Sequence, residues 1–153
     1  MEMDIMNESA LKEIEILEFR AGDQKYGIGV DEIREILSYT SKPTPVPHAH
    51  PFVEGIIMPR DFIITVVDFN KCFDLVSDAE LKSQMIINTG FGDKNIAIHV
   101  DGVNGIHRQS EANIITYTSE EEHSEFVSGY ILKDDNKVEL VDFVKLFQSI
   151  NPD

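Results

Sequence analysis

Residues 55–69 read Gly-Ile-Ile-Met-Pro-Arg-Asp-Phe-Ile-Ile-Thr-Val-Val-Asp-Phe, and residues 129–143 read Gly-Tyr-Ile-Leu-Lys-Asp-Asp-Asn-Lys-Val-Glu-Leu-Val-Asp-Phe. Each segment starts with glycine, has apolar residues on both sides of a polar turn and ends in Asp-Phe, at an offset of 74 positions. A second pair lies upstream at an offset of 70, where residues 22–31 match residues 92–101. Such self-similarity indicates one small structural unit used twice. Two units side by side leave a groove between them, which is a place to bind a partner.

The composition predicts a folded, strongly acidic protein. The 153 residues are 42% hydrophobic and 27% charged, with a formal net charge of −15. This charge argues against nucleic acid and anionic membranes as partners, because both reward clusters of lysine and arginine. No apolar run reaches the ~20 residues of a membrane span, and a single cysteine suits a reducing compartment. We therefore expect a cytoplasmic protein that does not insert into the membrane.

The domain organisation follows the repeat. We expect residues 1–12 to form a flexible N-terminal arm and residues 13–153 to form one domain, a length that suits a single core. Its two subdomains should correspond to the halves of the repeat, at roughly 14–75 and 84–150.

The spacing of turn signals predicts an all-β fold. About ten short apolar segments are separated by Gly- and Asp-containing turns, which is typical of barrels and sandwiches. Five strands in each half suit a small barrel filled by its own side chains, without an internal ligand cavity. We also predict a short helix after Asp31 and a C-terminal helix after Asp142, because aspartate is a favoured N-cap.

The repeated aspartates raise the question of catalysis. Asp68 and Asp142, one from each half, could in principle form the shared-proton pair of an aspartic hydrolase. Each is followed by phenylalanine and a helical apolar pattern, however, and two helix N-caps account for both residues. We predict helix caps and no enzyme, with the hydrolase as a remote alternative.

The remaining reactive side chains predict neither a metal nor a cofactor site. The five histidines lack a third ligand at a recognisable spacing, and Cys72 lies on the apolar face of a short helical turn. Arg60 is different, because it occupies the tip of the first repeated hairpin in a chain with 13 basic residues. It could pair with Asp61 on the surface or anchor a partner, and residue type alone favours neither.

Several ordered motifs resemble the CheW family, whose members are adaptors of bacterial chemotaxis. The resemblance extends from about Ile14 to Phe147 with the motifs in order. They are residues 22–28, 33–36, 52–56, the Arg60 turn, 66–69, 100–103 and 129–147.

This resemblance implies two five-stranded SH3-like barrels side by side and no catalysis. It implies two partners: the cytoplasmic hairpin tip of chemoreceptors, bound in the groove between the barrels, and the regulatory domain of the histidine kinase CheA. It places the protein in the cytoplasm, associated with membrane receptor arrays through its partners. Carried over position by position, the receptor-binding residues are Val30, Ile33, Glu35, Ile36, Arg60, Val100 and Val103; the kinase-binding residues stay unassigned.

One departure from the family pattern concerns the hairpin tip. The family commonly has Asn-Leu-Arg-Gly there, whereas this chain has Met58-Pro59-Arg60-Asp61. Replacement of a glycine, which tolerates positive φ, by aspartate predicts a changed turn and a changed direction for Arg60. A CheW-like module that serves a different signalling kinase is the alternative function, because it would carry the same motifs.

Overall fold

The computed structural model describes residues 12–150, so the predicted arm lies outside the described residues except for Lys12. Within this range the chain forms eleven strands and two α-helices. Their bounds are β1 Glu13–Ala21, β2 Gln24–Gly29, β3 Glu35–Ser38, β4 Val53–Ile57, β5 Ile64–Asp68, α1 Phe69–Cys72, β6 Met85–Asn88, β7 Ile96–Val100, β8 Gly102–Ser110, β9 Ile115–Thr116, β10 Val127–Lys133, β11 Asn136–Val141 and α2 Phe143–Ile150.

The all-β prediction with short helices is confirmed. The strands of the described residues form two sheets, one of six strands in the order β8-β1-β2-β11-β10-β9 and one of five in the order β3-β6-β7-β5-β4. The sixth strand of the first sheet, β9, has only two residues. The C-terminal helix α2 is amphipathic and buries Phe143, Leu146 and Phe147 against the sheets.

The two sheets do not coincide with the two halves of the sequence, 14–75 and 84–150. The hairpin β1–β2 of the first half joins strands β8 to β11 of the second half. Reciprocally, the hairpin β6–β7 of the second half joins strands β3 to β5 of the first. Each repeat therefore contributes one hairpin to the sheet of the other.

The strand registers repeat this exchange residue by residue. Thr65 lies opposite Ile96 in the parallel pair β5–β7, and the equivalent Glu139 lies opposite Tyr26 in the parallel pair β11–β2. In the antiparallel pairs, Ile36 of β3 faces Ile87 of β6, as Ile106 of β8 faces Leu17 of β1. The sequence offsets of 70 and 74 thus describe a structural two-fold repeat as well.

The helix predicted after Asp31 is wrong. Residues Val30–Glu32 form one 3-10 turn, and the chain then enters strand β3. The apolar residues that suggested one helical face alternate instead, with Ile36 exposed and Leu37 partly buried. Pairing with β6 supplies β3 with backbone hydrogen bonds that a short isolated helix would have to make locally.

One main core joins both sheets. It contains Phe19 of β1, in the first sheet, and Phe69 of α1, which directly follows β5 of the second sheet; their ring centroids are 5.1 Å apart in an edge-to-face arrangement. Phe143 and Phe147 of α2 pack into the same cluster. Because this core is shared, the two sheets hold each other in place.

Candidate functional site

The tip of the first repeated hairpin is a left-handed turn. Arg60 has φ 53° and ψ 41°, Asp61 has φ 72°, and the Phe62 amide donates to the Pro59 carbonyl oxygen at 3.4 Å. The equivalent tip has the same conformation, with φ 50° at Asp134 and 65° at Asp135. Two consecutive residues with positive φ are the mark of a type I′ hairpin turn. The conformation is therefore shared by both copies although the sequences differ.

This turn directs Arg60 toward strand β3. Its Nη2 lies 2.6 Å from Oε2 of Glu35, and its guanidinium lies 5.2 Å from the ring centre of Phe62. The partner of Arg60 is thus Glu35, one of the carried-over residues, and the pairing with Asp61 considered from sequence is not observed. The Arg60 side chain stays 60% exposed, so its charge is accessible to a partner.

The carried-over aliphatic residues differ in their accessibility. Ile36 is 39% exposed on β3, while Val30, Ile33 and Val103 are partly buried against the main core. Val100 is fully buried in that core. In this conformation the Val100 side chain has no solvent-accessible surface.

The connection from β7 to β8, next to Val100, is held by the side chain of Asp101. The Asp101 carboxylate accepts hydrogen bonds from the Gly22 amide at 2.7 Å, from Asn70 Nδ2 at 3.0 Å and from Ser77 Oγ at 2.6 Å. These contacts tie a turn, helix α1 and the following segment to this connection. Sequence alone carried no signal for them.

Sequence reasoning missed one exposed aliphatic side chain that the repeat identifies. Ile106 of β8 occupies the position equivalent to Ile36 and is 56% exposed. It lies on the strand that also carries Val103. The offset of 70 between the two halves would have found it, since Ile33 and Val103 are related by the same offset.

The repeated aspartates are each engaged with a helix amide. Asp68 Oδ1 accepts from the Lys71 amide at 3.4 Å, and Asp142 Oδ1 accepts from the Lys145 amide at 3.1 Å. Asp68 ends β5 of the second sheet, and Asp142 directly follows β11 of the first sheet. This is the hydrogen bonding of helix caps, and nothing in it supports the hydrolase alternative.

A partly buried polar cluster in the second sheet was also missed. His99 Nδ1 lies 2.7 Å from Glu54 Oε1 and His99 Nε2 lies 2.7 Å from Gln84 Oε1, while the Tyr39 ring stacks on the imidazole and its hydroxyl donates to Glu54. Burial raises the pKa of Glu54, but the hydrogen bonds from His99 and Tyr39 outweigh it, so this pKa lies below its ordinary value. The cluster links β4 to β7. Both ring nitrogens of His99 already contact side-chain oxygens, so neither is open to a metal ion.

The described residues hold no metal ligand cluster and no helix able to span a membrane. In the range 12–150, no group of three His, Cys, Asp or Glu side chains could hold a metal ion. The longest described helix, α2, has eight residues, and no helix in that range is long and apolar enough to cross a bilayer.

Comparison with known proteins gives consistent results. The family model of the CheW-like domain matches residues 15–151. The chemotaxis protein CheW of Thermotoga maritima is 31% identical over 92% of both chains, and that of Rhizobium meliloti is 30% identical over 65% of this chain and 64% of its own length. The crystal structure of the scaffolding protein TtCheW from Thermoanaerobacter tengcongensis superposes with a TM-score of 0.77 at 25% identity, covering 85% of this chain and 89% of that one.

Proposed function

This chain belongs to the CheW-like domain family, and from that premise we propose that it is a non-catalytic adaptor that couples chemoreceptors to the histidine kinase CheA. The observation that carries the proposal is the family match over residues 15–151, nearly the whole described chain. Curated CheW proteins and a CheW scaffold structure with the same fold support it. The specific partners in this proposal are the hairpin tip of the receptor and the regulatory domain of CheA. Through these two contacts the protein joins membrane receptor arrays.

We assign the receptor surface to those carried-over residues that are exposed or only partly buried, extended by Ile106. Aliphatic side chains supply buried area when a helical hairpin enters a groove, and an accessible ion pair fixes its orientation. Ile36 and Ile106 are exposed and related by the repeat, and Arg60 paired with Glu35 supplies the polar contact. The surface residues are Val30, Ile33, Glu35, Ile36, Arg60, Val103 and Ile106.

Direct binding to the kinase tests the adaptor function. A pull-down with the CheA regulatory domain of the same organism should retain this protein, and a titration should saturate. Absence of binding at tens of micromolar CheA would contradict the adaptor function. Binding only to the regulatory domain of a different signalling kinase would favour the alternative, a CheW-like module outside chemotaxis.

Substitutions on the proposed receptor surface test its location. We expect Arg60→Ala and Ile36→Asp each to weaken binding to a receptor cytoplasmic fragment by about tenfold, as for residues central to an interface. Binding is measured by calorimetry, and circular dichroism should show an unchanged fold. Leu81→Asp is the matched control, because Leu81 is an exposed aliphatic residue on the 3-10 turn Leu81–Ser83. Equal affinity in the two test variants and the control would show that the surface lies elsewhere.

A further inference from the structure

A groove lies at the open end of the first sheet, where β1 begins and β11 ends. It has a volume of about 660 Å³, within the range of about 300–1,000 Å³ for ligand clefts. Its apolar side chains include Ile14, Ile114 and Leu140, which pack on a small core of Ile16, Ile131 and Val138. We call it the acidic groove, for the residues that surround it.

The rim of the acidic groove carries five carboxylates and one lysine. The carboxylates are Glu13, Glu15, Asp31, Glu32 and Asp142. The lysine, Lys12, lies 3.7 Å from Glu111, which does not line the groove. Among residues 12–150 only Glu15 of the rim has an ion-pair partner, Arg108, with the nitrogen and oxygen 3.7 Å apart and both side chains at least half exposed. The negative charge of the rim is therefore largely uncompensated.

The neighbouring carboxylates of the rim affect the pKa of Glu32. Burial raises the pKa of its carboxyl group, and the nearby charges of Asp31 and Asp142 raise it further, while a hydrogen bond from the Gly29 amide at 3.3 Å opposes them. A cation placed over the groove would relieve this repulsion. The apolar side chains beneath the rim add a hydrophobic contribution to the binding free energy of any apolar side chain that packs on them.

We propose that the acidic groove docks a basic amphipathic segment of a partner protein, with aliphatic side chains on its floor and lysine or arginine side chains at its rim. The geometry carries this assignment because an apolar floor meets five carboxylates in one concavity, and four of the five have no ion-pair partner among residues 12–150. A second copy of this chain is disfavoured as the occupant, since its net charge of −15 has the same sign as the rim.

The acidic groove is distinct from the core of the proposed receptor surface. Val30 lines both, but Ile36, Arg60 and Ile106 do not line the groove. The inference goes beyond the proposed function and does not depend on it. A variant such as Arg60→Ala can therefore lose receptor binding without losing binding at the acidic groove. The two proposals can thus fail independently of each other.

Glycine amide signals make the site directly observable. Gly27 and Gly29 line the groove, while Gly92 and Gly105 do not. We would titrate the full ¹⁵N-labelled chain with a synthetic amphipathic peptide of about twelve residues, leucine and lysine at helical spacing. We expect the Gly27 and Gly29 amides to shift progressively and those of Gly92 and Gly105 to stay in place.

Two further peptides separate the proposal from general attraction to an acidic protein. One keeps the lysines and replaces leucine by serine, and the other keeps the leucines and replaces lysine by glutamate. The leucine–lysine peptide should bind at least about tenfold more tightly than either, a difference of about 1.4 kcal/mol. Equal binding of the serine peptide, or shifts spread over all four glycines, would overturn the proposal.

Charge-neutral variants provide the matched control. Glu13→Gln combined with Asp31→Asn should weaken the peptide about threefold or more, since two rim charges are lost. Asp78→Asn combined with Asp93→Asn removes the same charge outside the groove and should leave the affinity unchanged. An equal loss in both pairs would overturn the proposal, as would concentration-dependent shifts of Gly27 and Gly29 without peptide, which would indicate self-association.

Discussion

Asp61 is a non-glycine residue with a positive φ of 72° at the tip of the first repeated hairpin, and this backbone conformation has an energetic cost. A non-glycine residue in the left-handed region is destabilised by contact between its Cβ and the following carbonyl, although aspartate tolerates it better than most. The type I′ turn nevertheless forms at Arg60 and Asp61, as it does at Asp134 and Asp135. The hairpin strands impose the turn, and the turn in return brings Arg60 to Glu35.

Asp61→Gly should therefore stabilise the protein. We expect the free energy of unfolding to rise by about 0.5–1 kcal/mol, because relief of the left-handed backbone exceeds the added entropy of the unfolded chain. Urea denaturation measures the change. Asp78→Gly is the control: Asp78 lies in a loop without positive φ, and the same change there should lower the free energy of unfolding. A stabilisation at both positions would refute the role of the turn.

At the scale of the strands, the repeated glycines hold corresponding bulges. The register of β4 and β5 shifts between Val53 and Gly55, and that of β10 and β11 shifts between Val127 and Gly129. A Cβ at Gly55 would overlap the carbonyl oxygen of Thr44, and one at Gly129 would overlap that of Ile115. In both hairpins a neighbouring backbone thus approaches where only glycine leaves room.

Gly129→Ala should destabilise the protein by about 1–3 kcal/mol, because backbone atoms of the adjacent strand must move. Gly55→Ala should behave alike. Thermal unfolding followed by circular dichroism compares them with Ser128→Ala, an exposed position on the same strand as Gly129, for which we expect a change within about 0.5 kcal/mol. Melting temperatures equal to that of Ser128→Ala would show that the strands adapt freely.

The contact between β4 and β7 through Glu54 and His99 makes the second sheet sensitive to acid. The pKa of Glu54 lies below its ordinary value of 4.5 in the folded protein. The ionised carboxylate therefore contributes stability that is fully present above that ordinary value and is lost as the pH falls through the lower, folded-state pKa.

Urea unfolding between pH 7 and pH 3.5 tests this contribution. We expect the wild-type free energy of unfolding to fall below about pH 4.5 and Glu54→Gln to lose part of that dependence, since glutamine cannot ionise. Glu120→Gln, in an exposed loop, should keep the wild-type profile. A pH profile unchanged by Glu54→Gln would remove this pair as the origin of the acid sensitivity.

For the whole molecule, the exchange of hairpins between the halves has the largest consequence. Neither sheet is complete within one half of the sequence, and the main core takes side chains from both. A fragment that contains one half lacks the strands that pair with its hairpin, so its backbone groups and apolar faces stay exposed.

Fragments 1–78 and 79–153 should therefore fail to fold separately. We expect each to lack a cooperative unfolding transition in urea and dispersed amide signals in an NMR spectrum, and an equimolar mixture to recover part of both. The intact chain is the control. A cooperative transition in either fragment alone would show that a half can form a subdomain by itself, as the repeat suggested from sequence.

The sequence predicted much of the fold and less of the surface. Apolar patterns and turn residues are local, and the repeated segments 55–69 and 129–143 do contain most of the two hairpins β4–β5 and β10–β11. The helix after Asp31 was wrong because pairing with β6, some fifty residues away along the chain, overrides local spacing. On the surface, the family pattern supplied Arg60 and Glu35, but their contact depends on the conformation of the turn between β4 and β5.

The sequence by itself determined the repeated unit, the all-β class and membership of the CheW-like family. Each of these can be recognised from patterns of residues that are near one another in the chain. The tertiary structure decided which hairpin joins which sheet, that Arg60 pairs with Glu35, and that Val100 is buried while Ile106 is exposed. The physical reason is that hydrogen-bond partners and burial are set by residues distant in the chain. Alternation fixes a strand and its two faces, but not the strand that will lie beside it.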